Sequence, residues 1–149
     1  MISVTVNLDT SRFDRMMSDF PGAMARARRA ALLQIGKTIR NHTREAFNEP
    51  SKRPAPWAPR KASKRDDGHP LLIRSGELRN NFRYRLNGDA AVVVWTKAKY
   101  AGYHQFGTKK MPARPFFPFL PNGQIMPTVL REIDHKIQYE CDKELRKLS

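Results

Sequence analysis

Histidine and cysteine side chains are the first candidates for metal binding or nucleophilic chemistry in this sequence. His42, His69, His104 and His135 lie far apart, and none has a second ligand at the spacing that is typical of a zinc site. Cys141 falls on the apolar stripe of the last predicted helix, which favours a buried structural thiol over a low-pKa nucleophile. We therefore expect no metal, no cofactor and no catalytic residue.

A basic, proline-rich segment at residues 50–70 is the first candidate for binding an anion. It holds five of the eleven prolines, six basic side chains including Arg60 and Lys61, and Trp57, and we predict a flexible loop or arm. The cations could contact phosphates while Trp57 stacks on a base. An arm that becomes ordered against an acidic neighbouring protein is the favoured interpretation.

The charge of the chain is concentrated in its middle. The net charge is +14 over 149 residues, and residues 21–127 carry 21 basic and six acidic side chains. A positive field of this size attracts polyanions or acidic protein surfaces. The composition also excludes two classes of protein. No apolar run approaches the ~20 residues that cross a bilayer, and a single cysteine cannot form a disulfide within the chain.

The first third of the chain predicts one strand and a long helix. Residues 2–8 alternate apolar and polar side chains, which is typical of a half-buried strand. A short helical pattern follows, and Pro21-Gly22 interrupts it. Residues 23–47 are rich in strong helix formers and predict a long helix. Gly36 lies inside this helix at a cost of about 1 kcal/mol relative to alanine, so we expect a close packing contact there.

The rest of the chain predicts a hairpin and three more helical segments. Residues 82–86 and 91–95 form strands around the turn Asn87-Gly88-Asp89, and the second strand is the more apolar and therefore central. Short helices are expected at 76–80 and 100–106. A last helix begins near Pro127. Its expected apolar stripe comprises Leu130, Ile133, Ile137, Cys141, Leu145 and Leu148.

These elements predict a single α+β domain over residues 1–149. We expect a mainly antiparallel sheet of three to four strands, packed by the long N-terminal helix and the C-terminal helix, with residues 50–70 as the flexible basic loop or arm.

Four short motifs carry a resemblance to a known family: WAP at 57–59, LIRSGEL at 72–78, YAGYHQFG at 100–107 and MPARPFF at 111–117. In this order the chain resembles the phage virion morphogenesis, or tail completion, family of tailed bacteriophages. That family is similar to head–tail joining and tail-terminator proteins. The sequence departs from the family pattern at residues 119–149, where the chain is longer and more helical than the resemblance implies.

The motif residues fall into two groups. One group is expected to order the local structure, with a short helix pinned to the sheet edge: Gly76, Leu78, Tyr100, Ala101, His104, Phe106, Gly107 and Pro115. The other group is the candidate subunit or partner interface: Trp57, Arg60, Lys61, Arg114, Phe116, Phe117 and Phe119. Arg114 stands on a stiff, proline-flanked segment, which suits either a bidentate carboxylate contact or an internal hydrogen-bond pair with His104.

The resemblance implies a noncatalytic structural protein of a phage particle. It implies a homo-oligomeric ring, a hexamer, at the tail end or neck, which contacts the tail tube and the head–tail connector proteins. It also implies location in the virion and, during assembly, in the host cytoplasm, with no membrane partner. Nonspecific contact with DNA in the channel is a further expected interaction.

Two alternatives stay open. One is a basic nucleic-acid-binding module that acts through its cationic loop. The other is an enzyme, such as a small nuclease that uses Asp66, Asp67 and His69. We interpret that acidic run as a solvated turn, because it lies in the basic, proline-rich loop.

Overall fold

The computed structural model describes residues 2–61, 68, 70–73 and 75–149. They form an α+β fold, which confirms the predicted fold class. A single 3₁₀ turn, Pro50–Lys52, follows the long helix. The elements in chain order are β1 Ile2–Asn7, α1 Ser11–Met17, α2 Pro21–Glu45, α3 Glu77–Asn80, β2 Arg83–Leu86, β3 Ala91–Thr96, α4 Ala101–Phe106 and α5 Pro127–Arg146.

The three described strands form one antiparallel sheet in the order β1-β3-β2. The central place of β3 was predicted from its continuous apolar run and is confirmed. Successive side chains of a strand point to opposite faces, and the register therefore defines two faces. Val4 and Tyr84 both pair with Val94, and this face packs against the helices. Ser3 and Arg83 both pair with Trp95 on the opposite face.

Helix α2 begins two residues before its predicted start. Pro21-Gly22 was expected to interrupt the helical pattern, but Pro21 is the first residue of the helix. Proline is tolerated there because its missing N–H would have no partner within the first turn. The buried residues Ala23, Ala27 and Ala31 lie one turn apart along one side of the helix. Their small side chains let a neighbouring element approach closely.

Gly36 lies where α2 crosses the sheet. A Cβ atom at this position would lie 2.7 Å from the Cδ2 atom of Tyr84 and 2.7 Å from a methyl carbon of Val92. Both distances are well inside van der Waals contact, so a side chain would overlap the sheet. The close contact that was predicted from the sequence is therefore confirmed.

Helix α5 packs against α2 in the antiparallel direction. The Arg26 guanidinium lies 3.1 Å from the Glu144 carboxylate, and the His42 imidazole lies 2.8 Å from the Glu132 carboxylate at the opposite end of the pair. Hydrogen bonds from Lys147 and Arg26 lower the pKa of Glu144. These pairs fix the register of the two helices.

The predicted apolar stripe of α5 is wrong at two positions. Leu130 is 44% exposed, and Leu148, which is 46% exposed, lies beyond the end of the helix. Val129 takes the buried place instead, because it lies four residues before Ile133 on the packed face of the helix. Cys141 is fully buried, as predicted, and burial raises the pKa of its thiol.

Candidate functional site

The described part of the proline-rich segment is fastened to the core by Trp57. Its indole N–H donates to the carbonyl of Pro115 at 2.7 Å, and its ring is largely buried. The Arg53 guanidinium lies 3.7 Å from the centre of the indole ring, in a cation–π contact. The indole is therefore enclosed on both sides, and the stacking role that the sequence suggested for Trp57 is not supported by its burial.

Arg114 holds the same segment from a second direction. Its Nε atom donates to the carbonyl of Ala58 at 2.9 Å, and an Nη atom donates to the carbonyl of Pro59 at 3.1 Å. The backbone N–H of Arg114 donates to the carbonyl of His104 at 2.7 Å. The planar fork of the guanidinium thus binds two successive carbonyls in place of the expected carboxylate, and it acts as an internal clamp.

Helix α4 is joined to the segment that contains Arg114 by Gln105. The side-chain oxygen of Gln105 accepts hydrogen bonds from the backbone N–H groups of Phe116 at 3.0 Å and Phe117 at 3.2 Å. Gly107 ends the helix with a φ of 74°, and a Cβ there would lie 2.7 Å from the backbone nitrogen of Ala113. Only glycine meets both demands, and this is the physical reason for a glycine at this position.

Phe116 and Phe117 belong to the aromatic core. Phe116 stacks on Phe47 at 5.4 Å between ring centres, and Phe117 lies edge-on to Phe82 at 5.6 Å. Both rings are buried, so Phe116 and Phe117 are not available as surface anchors, although the sequence placed them at the interface. Phe119 is half-buried at the edge of this cluster. The hydrogen bonds to Gln105 hold this segment against the core.

The remaining motif residues surround one cleft of about 380 Å³. Its lining includes Arg60, Gly76, Tyr100, His104 and Arg114. Gly76 has a φ of 77° and directly precedes α3, which the buried Leu78 anchors in the core. Ala101 is also buried beneath α4. The structure therefore brings together the ordering residues of three motifs that are distant in the sequence.

His104 is a partly buried titratable group of this cleft, and its pKa is perturbed. Its Nδ1 atom is buried and has no hydrogen-bond partner among the described residues. Burial, with a further contribution from the Arg114 charge, lowers the pKa of His104. Burial also raises the pKa of Tyr100, and the Glu77 carboxylate, which accepts its hydrogen bond, raises that pKa further. The lowered pKa of His104 favours its neutral imidazole in the folded protein.

Sequence reasoning missed an exposed aromatic patch on α4. Tyr103 is 60% exposed and Phe106 is 75% exposed. The sequence analysis expected Phe106 to pin the helix to the sheet, and its exposure contradicts that role. Helical spacing was the available signal, because at 100° per residue both side chains lie on the side opposite the buried Ala101. Phe106 borders an apolar groove of about 370 Å³ that Ile2 and Phe119 also line.

The described residues contain no group of three His, Cys, Asp or Glu side chains that could hold a metal ion. Asp66, Asp67 and His69, the residues of the nuclease alternative, lie outside the described residues, as does Arg74 of the second motif. Lys61 is exposed at the end of the described part of the loop. No described helix has the length and apolar character needed to span a bilayer.

The fold and the cleft together define a small α+β protein whose motif residues mainly fasten loops to the core. Residues 8–132 match the phage virion morphogenesis family, so the chain belongs to that family, as the motifs indicated. The match contains all four motifs and ends within α5. No curated protein and no solved structure matches the chain.

Proposed function

We propose that this protein completes the tail or joins the tail to the head in a tailed phage, as a ring of identical subunits, sixfold by family resemblance, that acts without catalysing a reaction. Membership of the phage virion morphogenesis family supports an assembly role. The proposal places the ring in the tail or neck of the virion, between the tail tube and the head–tail connector proteins, after assembly in the host cytoplasm.

The observation that carries the proposed ring is the exposed aromatic patch on α4. A closed ring needs two different, complementary surfaces on each subunit. Exposed apolar patches on soluble proteins often mark such interfaces. Burying one phenylalanine side chain of this kind contributes about 2 kcal/mol, and Phe106 and Tyr103 are both available.

Among the described strands, none pairs with the outer edge of β1, which adjoins the same patch. Leu8 donates to the carbonyl of Ala90, so alternate β1 residues bond to β3, and the backbone groups of Ser3, Thr5 and Asn7 point away from the sheet. β1 also carries no charged side chain or proline, the devices that usually protect an edge strand. An extended segment of a neighbouring subunit can therefore add to this edge and bury Phe106.

A test of assembly compares two exposed aromatic residues. Light scattering coupled to size-exclusion chromatography should show oligomers at high concentration for the unmodified protein, and a shift towards monomer for Phe106→Ser. Tyr139→Ser on α5, where the side chain is 56% exposed, is the matched control and should leave the oligomer unchanged. Equal effects of the two substitutions would contradict the assignment of the interface to α4.

The role in the particle is tested by deleting the gene. Electron micrographs should then show heads separate from tails, or tails of abnormal length. Complete, infectious particles from the deletion mutant would refute the proposed role.

The nucleic-acid-binding alternative in its original form is the less favoured function. It used Trp57 as a stacking platform, and that ring is enclosed by Arg53 and the core. A contact of the loop with DNA would therefore rest on its cations, such as the exposed Lys61, without base stacking on Trp57.

A further inference from the structure

The sheet has a second face that the helices leave uncovered. Helix α2 packs against the face that contains Val92 and Val94, which are both fully buried. The residues that alternate with them are exposed or half-buried. We call this surface the open sheet face, and the register assigns to it Ser3, Thr5, Arg83, Arg85, Val93 and Trp95.

The open sheet face is basic and has little opposing charge. Arg83 and Arg85 are both exposed on β2, and Lys97 is exposed just beyond the end of β3. None of the three forms an ion pair with a carboxylate in the described ranges. One carboxylate, that of Glu77, lines the same shallow recess as Arg83 and Lys97. The net charge at this end of the sheet is therefore positive.

Trp95 lies at the centre of this face and is covered by an arginine. The Arg85 guanidinium lies 5.2 Å from the centre of the indole ring, and the Arg85 residue is exposed to solvent. The stacked ring restricts the guanidinium, so less side-chain entropy is lost when the arginine binds a ligand. The hydroxyl groups of Ser3 and Thr5 lie on the other side of the indole.

We propose that the open sheet face binds the phosphate backbone of duplex DNA. Guanidinium and hydroxyl groups are typical phosphate donors. Arg83 and Arg85 are two residues apart on one strand, or about 7 Å. Duplex DNA carries one charge per about 1.7 Å of axis, so two cations at this spacing can each meet a phosphate. The inference is independent of ring formation, because it concerns one subunit.

An acidic protein surface is the competing partner, and the observations favour DNA. Protein interfaces are usually centred on a cluster of apolar or aromatic side chains that enter a pocket on the partner. Here the one large aromatic side chain is capped by Arg85, and its neighbours on β1 are small and polar. A flat, polar, cationic surface of this kind matches a phosphate backbone better than it matches an apolar hot spot.

The test measures binding of a fluorescent 30-base-pair duplex by anisotropy between 50 and 200 mM salt. Neutralising two phosphate contacts should reduce the slope of log K against log salt by about 1.8. The double substitution Arg83→Gln/Arg85→Gln should show this reduction, together with about 60-fold weaker binding at 100 mM salt, which is the change that a slope difference of about 1.8 gives between 1 M and 0.1 M salt. The matched control is Arg29→Gln/Lys37→Gln, which removes the same charge from exposed positions of α2 on the other side of the sheet.

Equal loss of affinity in the two double variants would overturn the proposal, because binding would then follow net charge alone. A polyglutamate competitor provides the second arm. Two results together would make the face a docking site for acidic protein and the assignment to DNA wrong. Polyglutamate would displace the duplex at equal charge concentration, and Arg83→Gln/Arg85→Gln would weaken the binding of polyglutamate itself. Displacement only at large excess supports DNA.

Tryptophan fluorescence locates the contact directly. Trp57 and Trp95 are the two tryptophans of the chain, so Trp57→Phe leaves Trp95 as the single reporter. Titration with the duplex should change the Trp95 emission at the same DNA concentrations that change the anisotropy. Full binding without any change in Trp95 emission would place the DNA elsewhere and refute the proposal. Circular dichroism confirms that each variant is folded.

Discussion

The substitution Gly36→Ala tests the closest contact in the fold, because two opposing effects of known size meet there. Alanine is favoured over glycine inside a helix by about 1 kcal/mol. The new methyl group would lie 2.7 Å from both Tyr84 and Val92. Val92 is fully buried, and the Tyr84 ring lies beneath the Arg40 guanidinium at 5.0 Å, so neither neighbour has free space to move into.

Overpacking of this kind costs about 1–3 kcal/mol. After the gain of about 1 kcal/mol in helix propensity is subtracted, we expect Gly36→Ala to lower the free energy of unfolding by up to about 2 kcal/mol. The measurement is urea-induced unfolding followed by circular dichroism. A lower urea midpoint with an unchanged dependence on urea concentration would show a loss of stability in a folded state of the same compactness.

Helix α2 supplies its own control in Gly22. A Cβ atom there would have Arg26 Nη1 as its nearest neighbour at 3.5 Å, which is an ordinary contact with a flexible side chain. Gly22→Ala should therefore leave stability unchanged or raise it by up to about 1 kcal/mol. If Gly36→Ala instead raises stability by as much as the propensity gain of about 1 kcal/mol, then α2 does not pack on β2 and β3 at the stated distance.

Two further predictions concern the cleft. Arg114→Gln removes the donors to two loop carbonyls and should lower the free energy of unfolding by about 1–3 kcal/mol; limited proteolysis should then cut faster within residues 53–61, and an unchanged cleavage rate would contradict the clamp. Burial lowers the pKa of His104 below its usual 6.5, so the unfolded state takes up the proton first on acidification. Stability from neutral His104 is thus present above pH 6.5 and is lost as the pH falls towards the folded-state pKa. The difference in urea midpoint between pH 7.5 and pH 5 should be smaller in His104→Asn, and an equal difference would refute this role.

Local sequence patterns were enough to predict most of the secondary structure. Alternation of side chains indicated β1, and the turn signal at Gly88 placed β2 and β3 correctly around the hairpin. The close approach at Gly36 was also predictable, because a glycine within a strong helical run has a cost that only packing can offset. The burial of Val129 in place of Leu130 was not predictable, since both side chains are apolar and both lie about one turn before Ile133.

The site was harder to predict than the fold, because burial of its residues depends on partners that are distant in the chain. Phe116 became a core residue through Phe47 and Gln105, and Trp57 through Pro115. The sequence shows such residues to be apolar, but it does not show which contacts they make. Conversely, the exposure of Phe106 follows from helical geometry once a helix that buries Ala101 is assumed.

The contacts within the chain distinguish residues that order the fold from residues that are free to bind a partner. Hydrogen bonds within the chain engage Gln105, Trp57 and two of the nitrogen atoms of Arg114, so these groups have little capacity left for a partner. The proposed recognition rests instead on side chains that the core does not use: Phe106 in the proposed subunit contact and Arg85 in the proposed phosphate contact. Substitutions in the first set should reduce stability before assembly, whereas those in the second set should impair assembly or DNA binding in a protein of normal stability.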